Sequence, residues 1–94
     1  MEPKRPLTPL EKIDLSQLQL VAVIQAASGS RAMVEDATGK GYVLIPGTFV
    51  GLNSGVVMEI LKDRVIVEEK TRDFLGREST GKKELKLQKP FGEQ

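Results

Sequence analysis

The chain has 94 residues, 14 Lys and Arg against 13 Asp and Glu, a net charge of +1, and neither cysteine nor histidine. That length suits one small domain burying roughly 60 to 65% of its unfolded surface, with little room for a deep cleft, and the missing residue types exclude a disulfide framework, a thiolate nucleophile, the commonest general base and the commonest zinc ligand. The near balance of charge gives no reason to expect nucleic acid or an anionic membrane as the main partner, and the nine basic and six acidic residues from Lys62 to Lys89 read as a solvated surface.

Pro3, Pro6 and Pro9, with charges between them, disfavour helix and predict an extended lead over residues 1–14. Before Leu10 the lead suits a partner-binding linear segment; from Ile13 onward it suits packing, with a short turn capped by Asp14 or Ser16 that lays Leu15 and Leu18 on the core. Gln19 to Ala26 is the first predicted strand, with Leu20, Ala22 and Ile24 on one face and Val21 and Val23 on the other. Ala27-Ser28-Gly29-Ser30 turns the chain, Arg31 to Asp36 returns as a second strand, and Ala37-Thr38-Gly39 turns again. Asp36-Ala37-Thr38-Gly39 resembles the start of a calcium loop but lacks its later oxygen ligands and bidentate Glu, so it reads as a turn.

Lys40 to Lys70 packs three short β-branched runs together, Tyr42 to Ile45, Val56 to Leu61 and Val65 to Val67, each too short for an ordinary helix. Val56, Met58 and Ile60 alternate with Val57, Glu59 and Leu61, so both faces of that strand carry apolar groups, which suits protein on both sides. Gly47, Gly51 and Gly55 punctuate the preceding linker, with a helical or 3₁₀ turn expected through Thr48 to Leu52 and core burial for Phe49. No P-loop is implied, because Val56-Val57 stands where Lys-Ser/Thr would be needed.

Thr71 to Lys82 reads as a long, charged hairpin loop. Within it Phe74-Leu75 either caps the open edge of the core, the safer assignment, or docks a partner. Glu84 to Lys89 alternates as a last strand with Leu85 and Leu87 inward, and residues 90–94 form a frayed tail. The fold class is therefore all-β: a small β-sandwich or partly open barrel of about six to seven short antiparallel strands over residues 15–89, behind an extended lead.

The longest apolar run, Leu20 to Ile24, is far below the roughly 20 residues that span a bilayer, and Met1-Glu2-Pro3-Lys4 does not begin a signal peptide. The chain as given is expected to be soluble, and it could be a cut-down piece of an exported or anchored protein. No serine sits in a nucleophile-elbow context and the carboxylates fall on outward or turn positions, so neither a catalytic residue, a cofactor nor a metal site is expected. An SH3-like or OB-type nucleic-acid module is the alternative, ranked below protein binding because three Phe, one Tyr and no Trp supply few stacking surfaces.

Pro6-Leu7-Thr8-Pro9-Leu10-Glu11, Leu15-Ser16-Gln17-Leu18-Gln19-Leu20-Val21, Arg31-Ala32-Met33-Val34-Glu35-Asp36, Gly39-Lys40-Gly41-Tyr42, Gly47, Gly51, Gly55-Val56-Val57, Ile60, Asp63 to Glu69 and Asp73-Phe74-Leu75-Gly76-Arg77 together resemble the PilP family, the periplasmic inner-membrane lipoproteins of type IV pilus assembly. The homology-region domain of the type II secretion clamp protein has a similar pattern. Against the family pattern, Ala22 stands where Gly is frequent, Gly47-Thr48-Phe49 replaces a Gly-Asp pair, and the signal peptide and lipidated cysteine are missing, as in a truncated chain.

The resemblance implies a non-enzymatic periplasmic adaptor, held at the inner membrane by a lipid anchor in the full-length chain and not inserted by this segment. Its implied partners are the N-terminal periplasmic domain of an outer-membrane secretin and the inner-membrane pilus alignment proteins, with no nucleic acid. The first hairpin is the expected secretin face, with strand residues Leu20 to Ile24 forming one side and Leu20, Val21, Val23, Arg31 and Met33 as the candidate contacts; Arg31 matches an arginine in the Ser-Arg-x-x-Val stretch of the type II relative. Leu7, Leu10 and Ile13 are the expected contacts of the alignment proteins.

Overall fold

Two antiparallel sheets carry the fold in a computed structural model that describes residues 6–88, so the expectations for residues 1–5 and 89–94 lie outside it. The first sheet holds β1 (Gln19–Ala26), β2 (Gly29–Glu35) and β3 (Gly41–Leu44) in the order β1-β2-β3. The second holds β4 (Phe49–Val50), β5 (Gly55–Ile60), β6 (Arg64–Arg72) and β7 (Glu78–Lys86) in the order β4-β5-β6-β7. Leu20, Val34 and Leu44 from the first sheet meet Val50, Val57, Val65 and Val67 from the second in a core where each is at most 1% exposed. Among the described residues the strands make two facing sheets and no closed barrel.

The sheets are stitched along one side. Leu20 and Leu87 form a parallel bridge, and the Gln88 amide donates to the Leu20 carbonyl at 3.0 Å. On the other side the link from β3 to β4 folds back on β5, with the Gly47 amide donating to the Val57 carbonyl at 2.7 Å and the Val57 amide to the Thr48 carbonyl at 2.9 Å.

Each sheet contains a β-bulge, and the bulges change which side chains are buried. In β1, Leu20 pairs with Val34 but the next partner, Met33, falls to Ala22, so Val21 is the extra residue. The alternation slips by one. Leu20 and Val23 therefore face the core while Ile24, expected beside Leu20, is 62% exposed. In β5 the partners run from Val57↔Val67 to Glu59↔Ile66, leaving Met58 unpaired. Val57 and Ile60 share the core face and Met58 is exposed. The two apolar faces read from that segment are one apolar face interrupted by a bulge, not a strand covered on both sides.

Four further expectations are corrected. Thr48 to Leu52 holds the two-residue strand β4 and the start of a turn rather than a helical turn, and Phe49 is 43% exposed because Val50 occupies the inward position of that pair. The long hairpin loop is mostly strand: pairing continues through Lys70↔Thr80, Thr71↔Ser79 and Arg72↔Glu78, leaving a turn of only Asp73 to Arg77. β-branched Thr71 and Thr80, a Thr71–Ser79 hydroxyl bond of 2.8 Å and an Arg72–Glu78 ion pair of 2.8 Å support those extra rungs. Phe74 and Leu75 do not cap the core; they are 94% and 62% exposed.

The lead joins the domain earlier than the prolines suggest. Pro9–Lys12 forms a 3₁₀ turn in which the Glu11 carboxylate reaches back to accept from the Thr8 amide at 2.9 Å. Leu10 enters the core, and its carbonyl accepts from the Gly51 amide at 2.9 Å. A second 3₁₀ turn, Leu15–Gln17, is capped by Asp14, which accepts from the Ser16 amide at 3.0 Å, and Leu18 is buried behind it.

Candidate docking surfaces

Residues directly opposite in antiparallel strands project to the same face, so register places the outer side chains of the first sheet. Ala22, Met33 and Val43 form one cross-strand row. Ile24 and Arg31 form the next, and Ile45 follows just beyond β3. Ile24, Met33, Val43 and Ile45 are 62, 41, 55 and 49% exposed, so this face carries a contiguous apolar patch of the kind that marks an interaction surface. Arg31 stands within it, exposed and, among the described residues, in no ion pair.

The structure sorts the residues expected at this face. Arg31 and Met33 lie on the outer surface, and Val21 is half-buried at the bulge. Leu20 is a core residue and Val23 packs against the core, so neither presents its side chain to a partner in this fold. Ile24 belongs to the patch, as expected for the Leu20 to Ile24 side of the hairpin, and Val43 and Ile45 join it without having been singled out from sequence. The alternation of Tyr42 to Ile45 contained the signal for Val43 and Ile45, whereas the bulge concealed that Ile24 and Leu20 lie on opposite faces. In the lead, Leu7 is 53% exposed, Leu10 fills the core and Ile13 packs half-buried against it, which leaves Leu7 as the open apolar group of that trio.

Polar groups elsewhere hold turns. Asp36 accepts from the Thr38 amide and hydroxyl at 2.9 and 2.6 Å, from the Lys40 amide at 3.0 Å and from the Tyr42 hydroxyl at 3.3 Å. These bonds, led by the Thr38 hydroxyl, hold its carboxyl below the ordinary value. Asp63 is lowered chiefly by its bond to Arg64, which also pairs with Glu84 at 3.1 Å. A groove of about 570 Å³ lies beside the second 3₁₀ turn, lined by Asp14, Leu15, Asn53, Glu69, Lys83 and Leu85 among others. Glu69 is 5% exposed there and accepts from the Asn53 side-chain amide at 3.4 Å, tying the β4–β5 turn to β6. Among the described residues no group of three or more metal-ligating side chains converges, and no helix is long and apolar enough to cross a membrane. What the surface offers is an apolar sheet face with a cation in it.

Comparison with known proteins follows the same direction. A family model described as "Pilus assembly protein, PilP" matches residues 1–87. The solution structure of PilP from Pseudomonas aeruginosa superposes with a TM-score of 0.80 at 25% identity, covering 100% of this chain and 86% of that one. A domain of the type IV pilus biogenesis lipoprotein PilP from Pseudomonas aeruginosa PA01 gives 0.76 at 26% identity, covering 92% of this chain and 100% of the other. A domain of the Neisseria meningitidis PilP pilot protein shares the fold, with a TM-score of 0.73 at 24% identity over 100% of this chain and 82% of that one. No curated protein matches the chain at a significant level.

Proposed function

The chain belongs to the PilP family of pilus assembly proteins, and from that membership we propose that it is a non-enzymatic adaptor of the type IV pilus machine, joining an inner-membrane alignment subcomplex to the N-terminal periplasmic domain of an outer-membrane secretin. The observation that carries the reading is the outer face of the first sheet, where Ile24, Met33, Val43 and Ile45 lie beside Arg31. A protein interface needs an apolar centre with few charges, and one arginine inside such a centre is a common energetic anchor. Relatives described as type IV pilus biogenesis lipoproteins support a periplasmic place, with the full-length chain tethered to the inner membrane by lipid. Leu7, exposed ahead of the first 3₁₀ turn, is the open apolar contact for the alignment proteins in this reading.

The test is a titration of the isotope-labelled domain with the N-terminal periplasmic domain of the cognate secretin, followed by backbone amide NMR. Shifts concentrated on Ala22 to Met33 and Val43 are expected. Shifts confined to β6 and β7, or none at concentrations that reveal weak binding, would move the secretin contact off this face.

A further inference from the structure

The turn joining β6 to β7 is built with more care than a solvent loop requires. Beyond Lys70, whose amide donates to the Asn53 carbonyl at 3.0 Å, the last rungs of the hairpin run past β5 as a two-stranded ribbon. Isolated ribbons of that kind are marginal in water, and this one is braced by an ion pair and a hydroxyl bond across its arms. At its tip Asp73 does most of the holding. One carboxylate oxygen accepts from the Leu75 and Arg77 amides at 2.9 Å each, the other from Arg77 Nε at 3.0 Å, and the Asp73 carbonyl accepts from the Gly76 amide at 2.9 Å. Gly76 supplies the positive φ of 82° that closes the turn.

All this ordering displays two apolar side chains, Phe74 and Leu75, to solvent. A fixed backbone behind an exposed aromatic is the arrangement that lowers the entropic cost of docking and concentrates binding energy in one anchor. We propose that this tip is a docking knob that inserts Phe74 into an uncharged apolar pocket, about the size of a phenyl ring, on a partner protein of the same envelope assembly. The proposal rests on the adaptor reading and adds a second contact surface to it.

Charge decides between a protein pocket and a lipid surface. Arg72 is paired with Glu78 and Arg77 with Asp73, so the collar around Phe74 is neutralised within the chain. An anionic bilayer would reward unpaired cations around the knob, whereas the two arginines beside it are already paired within the chain. A neutral pocket rim in a protein demands no such cations.

The experiment uses the full-length protein in its own bacterium, with a photoreactive benzoylphenylalanine replacing Phe74 in one strain and Phe74→Asp or Phe74→Leu in two others. The expected result is an adduct between position 74 and one envelope protein, piliation lowered about tenfold or more by Phe74→Asp, as for loss of an interface anchor, and piliation retained by Phe74→Leu. The isolated Phe74→Asp domain should keep its melting temperature, which separates lost docking from lost folding. Normal piliation with Phe74→Asp, or adducts formed only with lipid or only with a second copy of the chain, would overturn the proposal. The sheet-face reading stands or falls separately, on the secretin titration with Arg31 altered and Phe74 intact.

Discussion

Gly55 faces Val50 across the β4–β5 pair so closely that a Cβ on Gly55 would overlap the Val50 carbonyl oxygen and lie 3.1 Å from Val67 Cγ1. Glycine here is a packing requirement and not punctuation. Backbone cannot retreat as a flexible side-chain end can, so Gly55→Ala should cost about 1 to 3 kcal/mol, lowering the melting temperature by some 4 to 8 °C per kcal/mol for a domain of this size. Gly81→Ala, whose added methyl meets only Thr71 Cγ2 at 4.0 Å, is the matched control and should be tolerated. Calorimetry on both variants makes the comparison, and equal melting temperatures would show that β4 and β5 can separate freely.

The bulge at Val21 predicts opposite outcomes for two residues that strict alternation would treat alike. Leu20→Ala should destabilise by about 2 to 5 kcal/mol, because it removes a buried side chain and leaves a cavity. Ile24→Ala should stay within about 0.5 kcal/mol, as for an exposed site without special contacts. Urea unfolding measures both, and a large loss for Ile24→Ala would mean that β1 keeps an unbroken register.

That pair also marks how far the fold could be read from sequence. β-branched runs, turn residues and the wet alternation around Leu85 and Leu87 reflect local chemistry, and they placed β1 over its full length and a cap at Asp14 or Ser16, of which the structure uses Asp14. A bulge is different: it inserts one residue into one strand relative to its neighbour, so it exists only in the pairing. Val21 and Met58 are ordinary strand residues by type, and nothing local distinguishes them from paired ones. The same limit set Ile24 on one strand face with Leu20, whereas Arg31 and Met33 lie in the unbulged β2, where alternation holds. Leu10 was misread because three nearby prolines dominate local propensity, whereas its burial is a tertiary contact with residues distant in sequence, accompanied by a hydrogen bond from the Gly51 amide to its carbonyl. The ribbon beyond β5 looked like a loop because Gly76, Gly81 and the charges mask cross-strand pairs such as Arg72–Glu78.

Arg31 supplies the direct prediction for the proposed secretin contact. Since it forms no ion pair among the described residues, Arg31→Glu should leave the melting temperature unchanged within about 0.5 kcal/mol of stability. Binding of the secretin's N-terminal domain should weaken about tenfold or more, because a charge reversal inside an interface replaces an anchor with a repulsion. Titration calorimetry or NMR gives the affinity. Undiminished binding would remove Arg31 from the contact.

Acid should loosen the turns before it reaches the core. Asp36, Asp63 and Asp73 all have carboxyls held below their ordinary value, for Asp36 mainly by the Thr38 hydroxyl, for Asp63 by Arg64 and for Asp73 by the Arg77 amide. A carboxyl whose folded pKa is depressed binds its proton more readily in the unfolded chain, so its contribution is fully present above the unfolded value of about 3.9 and declines as pH falls through the folded value. Stability should therefore be flat in these groups from neutral pH down to about 5 and fall below about 4. Asp36→Asn tests the origin of the effect, since it removes the titrating group while keeping one oxygen to accept from Thr38 or Lys40. The variant should start from a lower melting temperature at pH 7 and lose less of it on acidification than the parent chain. If parent and variant lose the same amount, the turn between β2 and β3 contributes nothing to the acid response, which then lies with other carboxylates.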